Sequence, residues 1–338
     1  MTRTAPDDRR SGPRTHPPSP RDDEALDRLI AAQAGVVTRA QAVAHGLSPD
    51  TVDRRLAARR WRPEHPCVYR DARHPATDGA RVIAAVLWAG EGAVLTGAAA
   101  AWWWGLTGPG PAPDVVTVTV PRRRAPRSRP GVTVRRRGLP AADVVRHAGI
   151  AVAAPAFAAL EAAVELGDAA GPALLGRLVT GPGPRTGAPA VDLAALTAAH
   201  RRNLGAHGSA ATGRLLATVS RSATASALRR MRALLVRDGT DGWRVDHAVA
   251  GIVVRLAFPA ARLAVEIRGD GPDDDGRGWR RAVLRRQGWR VLVLDPADPW
   301  ARPGATLAAV RHAVAGNPAG SGVLPAGSGG TGAARAAG

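Results

Sequence analysis

The stretch "TRAQAVAHGLSPD", Thr38 to Asp50, holds two helix starts and one helix stop within 13 residues. Thr38 and Gln41 stand at capping-box spacing, and Gly46 closes the turn as a helix stop. Ser48 is the next N-cap, Pro49 takes the first helical position, and Asp50 lies beside that helix's positive end. Punctuation this dense leaves room only for two short helices joined by a tight turn. Upstream, Leu26, Leu29 and Ile30 recur at helical spacing, and downstream "WRPEHPCVYR" reads as a short turn and strand. Helix, helix-turn-helix and a small β-wing make a winged-helix pattern over residues 22–72.

At about 100° per residue, Val52 and Leu56 of the third helix face inward. Thr51, Arg54, Arg55 and Ala58 then lie outward or at the edge, as a recognition helix presents a major-groove surface. Arg59, Arg60 and Arg62 follow at the wing, where guanidiniums can hold phosphates and fix position without reading sequence. Composition supports a polyanionic partner: 47 basic residues face 28 acidic ones, a net charge of +19, and every basic residue is arginine. Two other readings stay open. Abundant Ala, Gly, Pro and Arg can reflect coding bias, and helix-turn-helix units also serve in packing or dimerisation.

Residues 78–170 read as a middle α+β unit. An apolar helix "GARVIAAVLWAG" leads to a small-residue helix ending in Trp102, Trp103 and Trp104, which are expected in the core or a dimer surface. Strands "VVTVTV" and "GVTVRRR" follow, then a helix from about Pro155 to Leu166. Between the strands lies an arginine-rich hairpin: Arg122, Arg123, Arg124, Arg127, Arg129, Arg135, Arg136 and Arg137 fall within 17 residues. Such clustering draws phosphates through counterion release, although the same residues suit a solvated loop. Residues 171–219 read as a helical linker region, with a flexible Gly- and Pro-rich connection at 180–189. Residues 220–313 read as helix, three strands, helix, strand and helix. The ends, 1–21 and the Gly-rich 314–338, read as disordered tails.

Several chemistries find no support. Cys67 is the single cysteine, which rules out an internal disulfide. No apolar run is long and unbroken enough to span a membrane, so the expected setting is cytoplasmic, with no membrane partner. The nine histidines are scattered without metal spacing, and "GEGAVLTG" lacks a Walker lysine.

Two resemblances add expectations. The run "AGVVTRAQAVAHGLSPDTVDRRLAARRWRPEHPCVYR" resembles the winged-helix domain of AbiEi-type antitoxins, with Cys67 where that family usually has glycine. The resemblance implies a DNA-binding transcriptional regulator of a toxin–antitoxin system, with a cognate toxin protein as a possible partner. Residues from about 220 to 295, through "VVRLAFPAARLAVEIRG" and "RRAVLRRQGWRVLVLD", resemble the Vsr-like branch of PD-(D/E)xK endonucleases. That resemblance implies magnesium held by acids on two neighbouring strands. Here Arg255 and Arg268 replace two of those acids, Arg280 and Arg281 stand where an aspartate is frequent, and only Glu266 survives.

One carboxylate among arginines is a poor magnesium site, so Glu266 is expected in an ion pair and the fold is read as endonuclease-like without catalysis. Asp270, Asp273, Asp274 and Asp275 lie in a Gly-Pro loop with no fixed geometry evident in the sequence. The expected class is a multidomain α+β and α/β chain. It has an N-terminal winged helix-turn-helix, a middle α+β unit and a C-terminal restriction-endonuclease-like mixed-sheet domain. No cofactor is expected; magnesium enters only if the alternative, an active Vsr-like DNA endonuclease, holds. A second alternative is an antitoxin that binds its toxin and no DNA.

Overall fold

The computed structural model describes residues 20–123, 126–181, 190–206, 208–268 and 274–316. The chain divides into two compact units, residues 1–162 and 163–338.

The first unit opens with α1 (Pro20–Ala32), β1 (Val36–Thr38), α2 (Arg39–Ala44), α3 (Pro49–Ala57), β2 (Trp61–His65) and β3 (Val68–Asp71). The caps form as the sequence demands. Thr38 Oγ1 accepts from the Gln41 N–H at 3.0 Å, the Thr38 N–H donates to Gln41 Oε1 at 2.9 Å, and Ser48 Oγ accepts from the Thr51 N–H at 3.1 Å. The wing differs from expectation: "WRPEHPCVYR" makes two antiparallel strands, and the unforeseen β1 adds a third in the order β1-β3-β2. A strand as short as β1 carries too little alternation to be seen without its partner. Leu26, Ile30, Val37, Ala42, Leu47, Val52, Trp61 and Tyr69 close the core. Burying each large apolar side chain there contributes about 1.5–3 kcal/mol. Gly35 has φ +88°, and a Cβ built on it would lie 2.3 Å from the His74 Cβ, so only glycine fits that corner.

Next come α4 (Asp78–Ala89), β4 (Val94–Thr96), α5 (Gly97–Trp103), β5 (Val116–Val120), β6 (Val132–Arg136), β7 (Val144–His147), β8 (Ile150–Ala153) and α6 (Pro155–Thr180), which passes the unit boundary after Ala162 and breaks at Gly167. The strands form one five-stranded sheet, β6-β5-β4-β8-β7. Its β5 and β6 are parallel, with Val116 opposite Val132 and Val120 opposite Arg136. The arginine-rich stretch between them is therefore a crossover and not the expected hairpin, because parallel neighbours require the chain to return the full strand length. Both faces of β5 are buried, which matches its unbroken Val-Thr run.

The second unit contains α7 (Leu193–Arg202), α8 (Ser209–Asp238), β9 (Arg244–Val249), β10 (Ile252–Phe258), β11 (Leu263–Ile267), α9 (Asp274–Arg286), β12 (Arg290–Leu294), α10 (Asp298–Ala301) and α11 (Pro303–Val314). Helix α8 runs without interruption through residues 219 and 220. The sheet order is β12-β11-β10-β9, antiparallel except for the parallel β11–β12 pair. One face packs Leu256, Phe258, Leu263, Val265 and Ile267 with Met231 and Leu235 of α8 and Val310 of α11. The other packs Val254, Ala257 and Ala264 with Leu284 of α9 and Trp289. Two covered faces around a mixed sheet fit the expected α/β class. No helix among the described residues is long and apolar enough to cross a membrane.

Candidate nucleic-acid interface

Helix α3 turns Val52 into the core and Leu56 partly into it, which leaves the opposite stripe outward. Thr51 Oγ1 sits 2.9 Å from Ser48 Oγ and accepts from Arg54 Nη2 at 2.9 Å, so the first turn is held by its own hydroxyls. Arg54, Arg59, Arg60 and Arg62 are exposed. Arg59 ends the helix at φ +54°, a left-handed residue where glycine is usual. Arg55 is placed differently: its guanidinium lies 5.0 Å from the Trp61 ring centroid and 3.5 Å from Asp23, with the side chain 23% exposed. It packs the helix onto the wing.

A contact with no sequence signal fixes the two helices together. Arg39 Nη1 and Nη2 donate to Asp53 Oδ1 and Oδ2 at 2.6 and 2.8 Å, a bidentate fork from the start of α2 to the middle of α3. The hydrogen bonds from Arg39 hold the Asp53 carboxyl below its usual range, and those to Asp53 raise Arg39.

The crossover splits its arginines. Arg122, Arg123 and Arg127 are exposed, and Arg124 lies outside the described residues. Arg129 lies 5.2 Å from the Trp88 ring, and that ring also meets His65 of the wing at 5.6 Å. His65 Nδ1 is buried without a hydrogen-bond partner; burial, then the positive Arg129, push its pKa down. On β6 the alternation is decisive. Arg135 and Arg137 turn to Glu161, a carboxylate 8% exposed that also accepts from the Gly97 N–H at 3.3 Å, while Arg136 stays exposed. Arg137 also lies over Phe157. The 17-residue charge cluster is thus partly an internal ion-pair network. Glu161 lies 24 residues beyond Arg137, so no spacing rule reveals it. The tryptophans split as well: Trp104 is buried and bonds the Ala153 carbonyl, while Trp102 and Trp103 are half-buried.

In the second unit Glu266 projects from β11 toward α9. Arg281 Nε donates to its Oε2 at 2.9 Å, and Arg280 Nε lies 4.0 Å from its Oε1. Arg280 also donates to the Val253 carbonyl at 3.0 Å. Arg268 pairs with Asp295 just beyond β12 at 2.7 Å, each side chain 37% exposed. Arg255 is exposed, two residues before Ala257, which pairs with Ala264 of β11.

These residues do not fit a magnesium ion: the surviving carboxylate faces two guanidiniums that neutralise it and would repel a cation. Among the described residues no group of three His, Cys, Asp or Glu could hold a metal. Asp270 and Asp273 lie outside the described residues, as do the side chains of Asp274 and Asp275.

No family model and no curated protein matches the chain. Among solved structures, the catalytic domain of the homing endonuclease I-Bth0305I is similar over 27% of this chain and 90% of its own length. The identity is 17% and the TM-score 0.21, a level that carries no argument about activity.

Proposed function

We propose that this chain is a cytoplasmic DNA-binding regulator of the AbiEi antitoxin type, in which the helix-turn-helix reads a duplex site. The observation that supports the reading is α3 itself: capped by Ser48, pinned to α2 by Arg39 and Asp53, and followed by four exposed arginines within nine residues, Arg54 to Arg62. A rigid, cationic helix end beside a hairpin suits phosphate contacts flanking a major groove. In this reading Thr51 and Arg54 face the bases, Arg59, Arg60 and Arg62 hold phosphates, and Arg55 positions the helix. Arg122, Arg123 and Arg124 add phosphate affinity. The second unit is an endonuclease-like domain that has lost its metal acids, and a cognate toxin is the protein partner.

The test measures binding of the full chain to its upstream DNA and to random duplex across a salt series. Expected are tighter binding to the upstream site and a falling log–log salt dependence, with about 0.9 of slope for each phosphate contact. No binding at low salt, or a flat slope, overturns the proposal. A plasmid-nicking assay runs beside it: nicking that requires magnesium and is lost in Glu266→Ala establishes the endonuclease reading instead.

A further inference from the structure

The β2–β3 hairpin is the wing of the first unit, and its tip, Pro63 to Cys67, carries no arginine of its own. Glu64 there is held by Arg70 Nε at 2.8 Å. His65 does not supply a charge, because burial and then the neighbouring Arg129 push its pKa down. A wing that follows a phosphate backbone needs a positive group at this place. The crossover between β5 and β6 brings one in. Arg129 lines the same cleft as Pro63 to Cys67, and its guanidinium lies 5.2 Å from the Trp88 ring that His65 also meets.

Local structure fixes that position. Arg129 to Val132 make a type II turn, with Pro130 second, Gly131 third at φ +75°, and the Val132 N–H donating to the Arg129 carbonyl at 2.9 Å. The Arg129 N–H donates to the Val132 carbonyl at 3.0 Å, and Ser128 Oγ accepts from the Val134 N–H at 2.9 Å. Trp88 then supports the plane of the guanidinium. Arg135 and Arg137, a few residues on, are taken by Glu161, whereas among the described residues no side chain accepts a hydrogen bond from Arg129. A guanidinium with a fixed backbone, a supported plane and no acid is preorganised for an anion from outside. Strand β2 has five residues and so spans about 16 Å, close to the rise of five base pairs, with Arg60 and Arg62 at its other end. We infer that Arg129 is the wing's phosphate contact, so that a duplex lying on α3 is gripped a second time at the wing tip. The inference rests on the regulator reading above and extends it to a residue outside the winged helix.

The experiment titrates the full chain and its variants with a random duplex of about 30 base pairs across a salt series, read by fluorescence anisotropy. Arg129→Gln keeps a planar group over Trp88 and removes the charge. It is expected to weaken binding about 5-fold at physiological salt and to lower the log–log slope by about 0.9, one phosphate contact. Arg129→Lys is expected to keep the slope, and Arg244→Ala, at an exposed arginine of β9, to change it by less than about 0.3. An unchanged slope in Arg129→Gln overturns the inference, as does a slope lost equally in Arg129→Lys. An equal drop in Arg244→Ala also overturns it, since the effect would then report total charge alone. If Arg60→Ala lowers the slope and Arg129→Gln does not, the regulator reading stands and this one falls. If Arg129→Gln lowers it and Arg60→Ala does not, contact by the α3 end falls and the contact at the wing tip remains. A parent chain that binds no duplex overturns both.

Discussion

The arginines around α3 and those around β11 and α9 have similar density in the sequence and opposite fates in the structure. On α3 and the wing, Arg54, Arg59, Arg60 and Arg62 remain exposed, while Asp53, one of the two acids within the helix, is taken by Arg39. On the second unit, Arg281 and Arg268 are committed to Glu266 and Asp295. Strand β6 shows both outcomes at neighbouring positions, with Arg135 and Arg137 drawn to Glu161 and Arg136 left exposed. Net charge therefore overstates the cationic surface, and the deciding variable is whether an acid from a distant element reaches the guanidinium.

The sharpest way to break this comparison is to remove such an acid. Glu161→Ala leaves Arg137, 16% exposed, and the more open Arg135 without their carboxylate. Loss of one partner of a buried pair costs about 3 kcal/mol here, toward the lower end of the usual range because Arg135 reaches water. Urea unfolding should show that loss, and a change below about 0.5 kcal/mol would mean that the network is not structural.

The same logic gives the second effect on binding. Replacing Arg54, Arg59 and Arg60 together by alanine should lower the salt slope by about 2.7 and duplex affinity by roughly 100-fold at physiological salt, without loss of stability. Equal losses from Arg268→Ala would erase the distinction drawn between the two regions.

Much of this was legible in the sequence where the physics is local. The caps at Thr38 and Ser48, the third helix and the β9-to-β12 pattern follow from neighbours in sequence, while the ion pair of Glu266, met by Arg281 of α9, is expected from the density of arginines around a lone carboxylate. What the sequence hid is long-range. The parallel pairing of β5 and β6 depends on where the chain returns, and strands of three residues such as β1 and β4 have no period to detect. The acids that claim arginines, Asp53, Glu161 and Asp295, come from other elements at separations that no motif encodes. Arg55 was legible as outward by angle alone, yet Trp61 draws it down onto the wing.

A smaller effect tests the wing turn. Cys67 holds φ +60°, a conformation that costs a side chain about 1–2 kcal/mol relative to glycine. Cys67→Gly should relieve that strain, offset in part by the greater freedom of glycine in the unfolded chain, for a net gain of up to about 1 kcal/mol. Thermal unfolding reads it, and a loss of stability would show that the thiol makes a contact worth more than the strain.

The smallest expected effect concerns His65, where cation and wing meet. Burial and the neighbouring Arg129 lower its pKa from 6.5, so folding favours the neutral ring. The sign follows by linkage: the unfolded chain takes up a proton on this residue as pH falls through 6.5, and the folded chain resists until the lower folded pKa is reached. The contribution of His65 is thus fully present above the unfolded pKa and lost as pH falls below it. Urea midpoints of the parent chain measured from pH 7.5 down to 5 should decline more steeply than those of His65→Gln, which keeps a polar group but cannot titrate. Parallel pH profiles would place His65 in solvent, and a steeper decline in the variant would reverse the sign. Because His65 touches the same Trp88 ring as Arg129, Trp88→Ala should also flatten the difference, separating a buried ring from a merely distant cation.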